Sequence, residues 1–408
     1  MNKYYTDEKN VLIVIALLKA NGIQKVVASP GATNITLVAS MQNDSYFEVY
    51  SSVDERSAAY MACGLAYESG DPVVISCTGA TASRNYLPGL TEAYYRKLPV
   101  LAITSSQIFA KIGHHVPQVV DRSSKPNDVV RLSVTLPFVK DNDDIWECEV
   151  KVNQAILELR RHGGGPVHID LPTMSSREYQ TKELPRCRVV NRFGPKDDLP
   201  KLTGKVAVLV GAHRPFTEHE TKALDDFCAA YDAVVFCDHT SAYKGKYRVL
   251  YALVASQDML GLAEDRPDVL IHIGEITGDY ASILMVGKEV WRVSEDGELR
   301  DTFRKLRYVF EMDEKFFFSK YAKNLTQPTD HYLQQCLERL EDTRKSIPEL
   351  PFSNIWLASK LAHLIPSGSV IHFGILNSLR TWNFFELPGT VTSISNVGGF
   401  GIDGGLST

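Results

Sequence analysis

Glu55 stands where an apolar strand meets a helix of small residues, in the segment VDERSAAYMACGLA at residues 53–66. An acid at the start of a helix is favoured by the helix dipole, so a purely structural role is one interpretation. A carboxylate held in a dry site can also exchange a proton with a bound ligand, which is the chemical interpretation. The segment alone leaves both open.

A turn rich in glycine, threonine and serine follows a strand in the segment CTGATASRNYLPGLTEAYYRKLPVLAIT, residues 77–104. Such a turn lets backbone N–H groups approach an anion or a polar heterocycle closely. Strand–glycine–helix elements are common in doubly wound α/β domains. The pattern therefore indicates a binding turn without identifying its ligand.

Asp403 is flanked by glycines in the segment SNVGGFGIDGGLST, residues 395–408. Mg²⁺ takes oxygen ligands and often bridges to phosphate oxygens, and glycine lets the backbone fold around both. The alternative is a flexible glycine loop with a solvated aspartate.

A pair of histidines, His114 and His115, is followed by Gln118. Paired histidines fit general acid–base chemistry near neutral pH, and the alternative is a structural loop.

Alternating strand and helix patterns must position these residues. Strand-like apolar runs lie at 25–29, 47–53, 72–78, 99–105 and 165–172, with helical segments between most of them. Apolar strands separated by helices are typical of a parallel sheet covered on both faces. We predict an α/β protein of three Rossmann-like parallel-sheet domains, the third incomplete. Their expected bounds are 1–180, a linker at 181–203, 204–330 and 331–408.

The composition excludes several classes of protein. The 408 residues carry a net charge of −5, which argues against a dominant role in binding nucleic acid or acidic membranes. No stretch approaches the roughly 18 apolar residues of a membrane span, and the polar start MNKYYTDEKN does not resemble a signal peptide. Seven cysteines without a CxxC pair suggest neither a zinc site nor a disulfide framework. We expect a reduced, cytoplasmic protein.

Taken in order, these motifs resemble those of the thiamine-diphosphate-dependent enzymes of the acetolactate synthase and pyruvate decarboxylase superfamily. The matching segments are SPGATN (29–34), VDERSAAYMACGLAYESGDPVV (53–74), the turn and helix at 77–104, GPVHIDLP (165–172) and GIDG (401–404). The resemblance implies a pyrimidine-binding domain, a central domain and a pyrophosphate-binding domain. It also implies a homodimer or tetramer, with the cofactor held between two subunits.

The resemblance assigns expected roles to individual residues. Glu55 would exchange a proton with the aminopyrimidine of the cofactor, Asp403 would bind Mg²⁺, and a small 2-oxo acid would lose carbon dioxide at the site. His114, His115 and Gln118 would face this substrate. The remaining cofactor-binding residues would be Pro30, Gly31, Thr78, Gly79, Asn85, Asn377, Ser378, Gly401, Ile402 and Gly404.

Two reactions are compatible with the motifs. LNSL (376–379) and GIDGGLST resemble the menaquinone-pathway 2-succinyl-5-enolpyruvyl-6-hydroxy-3-cyclohexene-1-carboxylate synthase. That synthase carries one arginine in its first loop, which corresponds to SPGATN (29–34) here, and another in an NRG motif, which corresponds to residues 396–398. Thr33 and Val397 occupy these two positions here, so the resemblance favours decarboxylation with carboligation as in acetolactate synthase. The synthase is the alternative. The segment VGAHRP (210–215) lacks a glycine-rich dinucleotide fingerprint, so FAD is not supported.

The position of Thr408 adds a third interpretation. The family pattern places another metal ligand and the rest of the third domain beyond the GIDG motif. We therefore expect residues 1–408 alone to be inactive, either as a fragment of a longer enzyme or as a non-catalytic homologue that dimerises or binds a partner.

Overall fold

A computed structural model describes residues 4–122, 124–257, 264–275, 277–323 and 330–396. The chain divides into two compact units, Met1–Val190 and Asn191–Thr408. Both contain parallel sheets flanked by helices, which confirms the predicted α/β class. Among the described residues, no helix is long and apolar enough to cross a membrane.

The first unit is built on six parallel strands in the order β2-β1-β3-β4-β6-β5. The strands are β1 (Lys25–Ala28), β2 (Glu48–Ser51), β3 (Val73–Thr78), β4 (Val100–Ser106), β5 (Leu132–Thr135) and β6 (Val167–Pro172). The helices are α1 (Lys9–Ala20), α2 (Ile35–Gln42), α3 (Glu55–Ser69), α4 (Thr81–Asn85), α5 (Leu87–Arg96) and α6 (Asn142–Glu158). Short 3-10 helices occupy Phe109–Lys111 and Arg161–Gly163.

The central strands of this sheet are covered on both faces. Every residue of β3 and β6 is buried, as expected for near-continuous apolar strands in a parallel sheet. One core contains residues of α1 and α6, and the other contains residues of α3 and α5. Small side chains let α3 and α5 approach closely, because a Cβ on Gly89 would lie 2.4 Å from the Cβ of Ala59.

The second unit contains a seven-stranded parallel sheet in the order β10-β9-β8-β11-β12-β13-β7, and a separate pair, β14 and β15. Its strands are β7 (Asn191–Phe193), β8 (Val206–Val210), β9 (Val234–Cys237), β10 (Arg248–Leu250), β11 (Val269–Ile273), β12 (Glu289–Val293), β13 (Leu306–Phe310), β14 (Val370–Phe373) and β15 (Thr392–Ser395). The strand β7 lies inside the segment predicted as a linker and pairs with β13.

In the described part of this unit, six α-helices accompany the strands. They are α7 (Glu218–Tyr231), α8 (Ala252–Ala255), α9 (Glu314–Ala322), α10 (His331–Lys345), α11 (Asn354–Leu361) and α12 (Asn377–Trp382). The start of α7 shows how sequence sets a helix boundary: Thr217 accepts a hydrogen bond from the Glu220 N–H, and the Glu220 carboxylate accepts one from the Thr217 N–H. This reciprocal capping satisfies N–H groups that have no partner within the helix.

Candidate active site

Three predicted binding segments meet at one edge of the six-stranded sheet. Pro30 and Gly31 follow β1, Glu55 follows β2, and Gly79 follows β3. Because these strands are adjacent and parallel, their carboxyl ends lie side by side. Ligands of open α/β sheets bind outside the carboxyl ends of the strands. The fold therefore brings the predicted residues of the first domain to the place where a ligand is expected.

Glu55 is the first residue of α3, but it does not cap the helix. The preceding residue, Asp54, accepts hydrogen bonds from the Ser57 N–H and the Ser57 hydroxyl, both at 2.7 Å. These bonds lower the pKa of Asp54. Capping is thus performed by Asp54, which leaves the half-buried Glu55 carboxylate for another contact.

That contact is made with Asn85, the last residue of α4. The Asn85 amide donates a hydrogen bond to Glu55 Oε2 at 3.2 Å. Within the part of the chain that the structure describes, Oε1 of Glu55 makes no hydrogen bond. Glu55 and Asn85, which belong to different sequence motifs, therefore contact each other. The second oxygen of the Glu55 carboxylate, Oε1, is available to a ligand.

Gly31 lies directly against Thr78. A Cβ at Gly31 would be 2.1 Å from Thr78 Oγ1 and 2.9 Å from Asn34 Oδ1, so only glycine fits. The buried Asn34 amide donates to the Ser29 carbonyl at 3.0 Å, and the Thr33 hydroxyl donates to the Ser105 carbonyl at 2.6 Å. The Thr33 bond joins the loop after β1 to β4, and a further bond from the Asn34 amide to Ser76 Oγ at 3.3 Å joins it to β3.

Among the described residues, two buried polar atoms at this edge, Asn34 Oδ1 and Ser105 Oγ, have no hydrogen-bond partner. Buried polar atoms are normally hydrogen-bonded, and an exception requires an explanation such as a ligand or a water molecule. Together with the available oxygen of Glu55, they fit an edge that receives a polar heterocycle.

The predicted substrate-facing residues lie in the loop after β4 and are exposed. His115 and Gln118 have positive φ values of 54° and 62°. Gln118 lines a cavity together with Ala32 and Thr33, whereas His114 and His115 are not among the residues that line it. The structure thus brings Gln118 to the first loop and does not bring the histidine pair into that cavity.

The cavity has a volume of about 730 Å³, within the range of small-molecule sites. Its lining combines apolar side chains with three exposed lysines and two acidic residues, and includes Ile108, Phe138, Met174, Lys9, Lys111, Lys140, Asp7 and Glu8. Burial raises the pKa of Glu8, which also lines it, although the Met174 and Ser176 N–H groups donate to its carboxylate and act in the opposite direction. The cavity is formed by segments far apart in the chain, so no sequence motif indicates it.

The predicted residues of the last domain are only partly described. Asn377 and Ser378 are exposed at the start of α12, which follows β14. Gly401, Ile402, Asp403 and Gly404 lie outside the described residues. Within the described ranges no three His, Cys, Asp or Glu side chains form a cluster that could hold a metal ion.

Comparison with known proteins identifies what this chain is similar to. Residues 11–124 match the model of the thiamine pyrophosphate enzyme N-terminal domain, which binds that cofactor. A 2-succinyl-5-enolpyruvyl-6-hydroxy-3-cyclohexene-1-carboxylate synthase of Bacteroides fragilis is 31% identical over 431 aligned positions, covering 99% of this chain and 76% of the relative. Synthases of the same name from Phocaeicola vulgatus and Desulfotalea psychrophila are 31% and 26% identical, each covering at least 95% of this chain and 75% of the relative.

Proposed function

Because the chain belongs to the family of 2-succinyl-5-enolpyruvyl-6-hydroxy-3-cyclohexene-1-carboxylate synthases, which are thiamine-diphosphate-dependent enzymes, we propose that it catalyses the decarboxylation of a 2-oxo acid coupled to carbon–carbon bond formation. The observation that carries this proposal is the Glu55–Asn85 hydrogen bond at the edge where Gly31 meets Thr78. All four residues lie in the segment that matches the thiamine pyrophosphate enzyme domain.

The relatives correct one expectation drawn from the motifs. The missing arginines at Thr33 and Val397 favoured an acetolactate-synthase-like reaction, but the named relatives support the alternative synthase better. The product in their name carries a four-carbon succinyl group. A five-carbon 2-oxo diacid, 2-oxoglutarate, gives that group by losing one carbon as carbon dioxide, and isochorismate is the matching cyclic acceptor. We propose this pair of substrates.

The chain's own side chains define the chemistry at the first unit. Thiamine diphosphate, when bound, supplies the carbon nucleophile and accepts the electrons released by decarboxylation. Glu55 would hold or release a proton at the ring nitrogen of the aminopyrimidine, and Asn85 would orient the Glu55 carboxylate. The Thr78–Gly79 turn would line the pyrimidine. Mg²⁺ would bind Asp403, whose carboxylate is a suitable hard ligand, and the absence of a flavin stays a prediction.

Lysines in the cavity fit anionic substrates. Lys9, Lys111 and Lys140 are exposed around apolar walls, and the Lys111 ammonium donates to Gln107 Oε1 at 2.9 Å. Ammonium groups bind carboxylates as point charges, without the bidentate geometry of arginine. We propose that these lysines supply positive charge that the missing arginine of the first loop would otherwise provide.

Replacing Lys111 tests the role of this charge. Lys111→Gln is expected to raise the KM for an anionic substrate about tenfold, equivalent to ~1.4 kcal/mol of binding free energy, with a smaller change in kcat. Steady-state kinetics with 2-oxoglutarate and isochorismate measure both constants. Lys111→Arg keeps the charge and should retain most of the affinity. An unchanged KM for both substrates in the Gln variant would remove Lys111 from the binding site.

A second copy of the chain is the proposed partner. The helix α3, which begins at Glu55, presents a row of exposed apolar side chains: Tyr60 (47% exposed), Met61 (42%) and Tyr67 (63%), with Val53 (86%) just before it. Exposed apolar patches of this kind mark interaction sites. A homodimer that covers this row would also enclose Glu55, as the resemblance to thiamine-diphosphate enzymes implies.

Met61→Asp tests this dimer. A carboxylate placed in an apolar interface loses its hydration, so we expect the dissociation constant of the dimer to rise by about 100-fold or more. Light scattering over a concentration series measures it. Phe316→Asp on α9, where Phe316 is 41% exposed, is the matched control and should leave the dimer intact. A Met61→Asp dimer as tight as the wild type would contradict the assignment.

A further inference from the structure

Arg122 is a buried arginine at the carboxyl edge of the first sheet. Its side chain is 8% exposed and that of its partner, Asp170 on β6, is 5% exposed. Arg122 Nη2 donates to Asp170 Oδ1 at 2.5 Å, and Nη1 donates to Thr104 Oγ1 on β4 at 2.5 Å. Ser106 donates to the same Asp170 oxygen at 2.8 Å. The guanidinium therefore joins the ends of β4 and β6.

The contacts continue to β5 through a histidine. Thr104 Oγ1 lies 2.7 Å from His168 Nε2, and Ser133 Oγ lies 2.8 Å from His168 Nδ1. Complete burial lowers the pKa of His168 well below its usual value, and the charges of Lys125 and Arg122 lower it further. His168 is thus neutral at physiological pH, and the group that the guanidinium contacts directly is the Asp170 carboxyl group.

The guanidinium also packs against Gly79. A Cβ built on Gly79 would lie 2.7 Å from Arg122 Nη2 and 2.8 Å from Cζ and Nη1. The Gly79 N–H donates to the Ser105 carbonyl at 2.6 Å. The turn therefore contacts both strand β4 and a charged group that is itself fixed by two hydrogen bonds.

We propose that Arg122 is a positioning residue that holds the Thr78–Gly79 turn in the shape that receives the pyrimidine of the cofactor. The inference rests on the proposed function, because that function gives the turn its ligand. A buried ion pair is seldom more stabilising than apolar side chains of similar volume. Its presence behind this turn, rather than in a core, favours a role in geometry over a role in stability.

The test replaces both charged residues of the Arg122–Asp170 ion pair together. Removing only one partner would leave an uncompensated buried charge and could unfold the protein. The double variant Arg122→Met/Asp170→Leu keeps similar volume without charge. We expect it to remain folded, to exchange the amide hydrogens of residues 77–86 at least about tenfold faster by mass spectrometry, and to bind thiamine diphosphate about tenfold more weakly by calorimetry.

The control is an ion pair elsewhere in the same unit. Arg161 and Glu158 are 12% and 14% exposed and lie 3.2 Å apart, so Arg161→Met/Glu158→Leu should alter neither measurement. An unchanged rate of amide hydrogen exchange at residues 77–86 in the Arg122 double variant would overturn the inference, whatever its affinity for thiamine diphosphate. A faster exchange rate with an unchanged affinity for thiamine diphosphate would also overturn it. If the wild type itself binds no cofactor, the proposed function fails, and the positioning role fails with it even if the turn loosens.

Discussion

Glu55→Gln is expected to lower the rate of 2-oxoglutarate decarboxylation by about 10²–10⁴-fold, the usual contribution of a positioned acid–base group. Glutamine keeps the length of the side chain and can still contact Asn85, which now donates to Glu55 Oε2 at 3.2 Å. It cannot hold and release the proton. Single-turnover release of carbon dioxide by the full-length gene product measures the effect.

The neighbouring acid provides the control for this prediction. Asp54 caps α3 through Ser57, so Asp54→Ala should reduce stability with little effect on the chemical step. Thermal unfolding and the decarboxylation rate together separate the two residues. If Glu55→Gln retains wild-type turnover, or if Asp54→Ala loses as much, the assignment of the acid–base role to Glu55 is wrong.

Gly31→Ala is expected to have the second-largest effect. The added methyl group would lie 2.1 Å from Thr78 Oγ1 and 3.2 Å from Thr78 Cβ, so the loop after β1 must move away from β3. Overpacking of this kind typically costs about 1–3 kcal/mol of unfolding free energy. Because the displaced loop also carries the cofactor edge, the affinity for thiamine diphosphate should fall by at least about tenfold.

Denaturant unfolding and calorimetric titration measure the two consequences of Gly31→Ala. Gly389→Ala is the matched control and should change neither quantity, since no atom of the described residues lies within 4 Å of a Cβ at Gly389. A Gly31→Ala variant with wild-type stability and affinity would show that the contact with Thr78 does not shape the site.

The sequence predicted the elements of the first unit well. The expected strands at 25–29, 72–78 and 99–105 coincide with β1, β3 and β4 to within one or two residues at each end. Long apolar runs bounded by glycine or proline make such strands easy to recognise. The turn and helix expected at 77–104 contain two helices, α4 and α5, and Pro88 lies in the first turn of α5, where a proline is tolerated.

Contacts between distant segments could not be predicted. The Glu55–Asn85 bond joins residues 30 positions apart and depends on how α3 and α4 lie against the sheet. No motif singled out Arg122, and only the packing of β4 and β6 shows that it touches Gly79. The three-residue strand β7 is too short to show a periodic pattern, so the sequence of its segment predicts a linker.

We expect the first unit to bind thiamine diphosphate through the edge that carries Glu55. Isothermal titration of the full-length gene product with thiamine diphosphate and Mg²⁺ measures this binding. We predict saturable binding of one cofactor per chain that requires Mg²⁺ and is weakened by Gly31→Ala and by the Arg122 double variant. No detectable binding by the wild type, or binding that neither variant weakens, would contradict the claim.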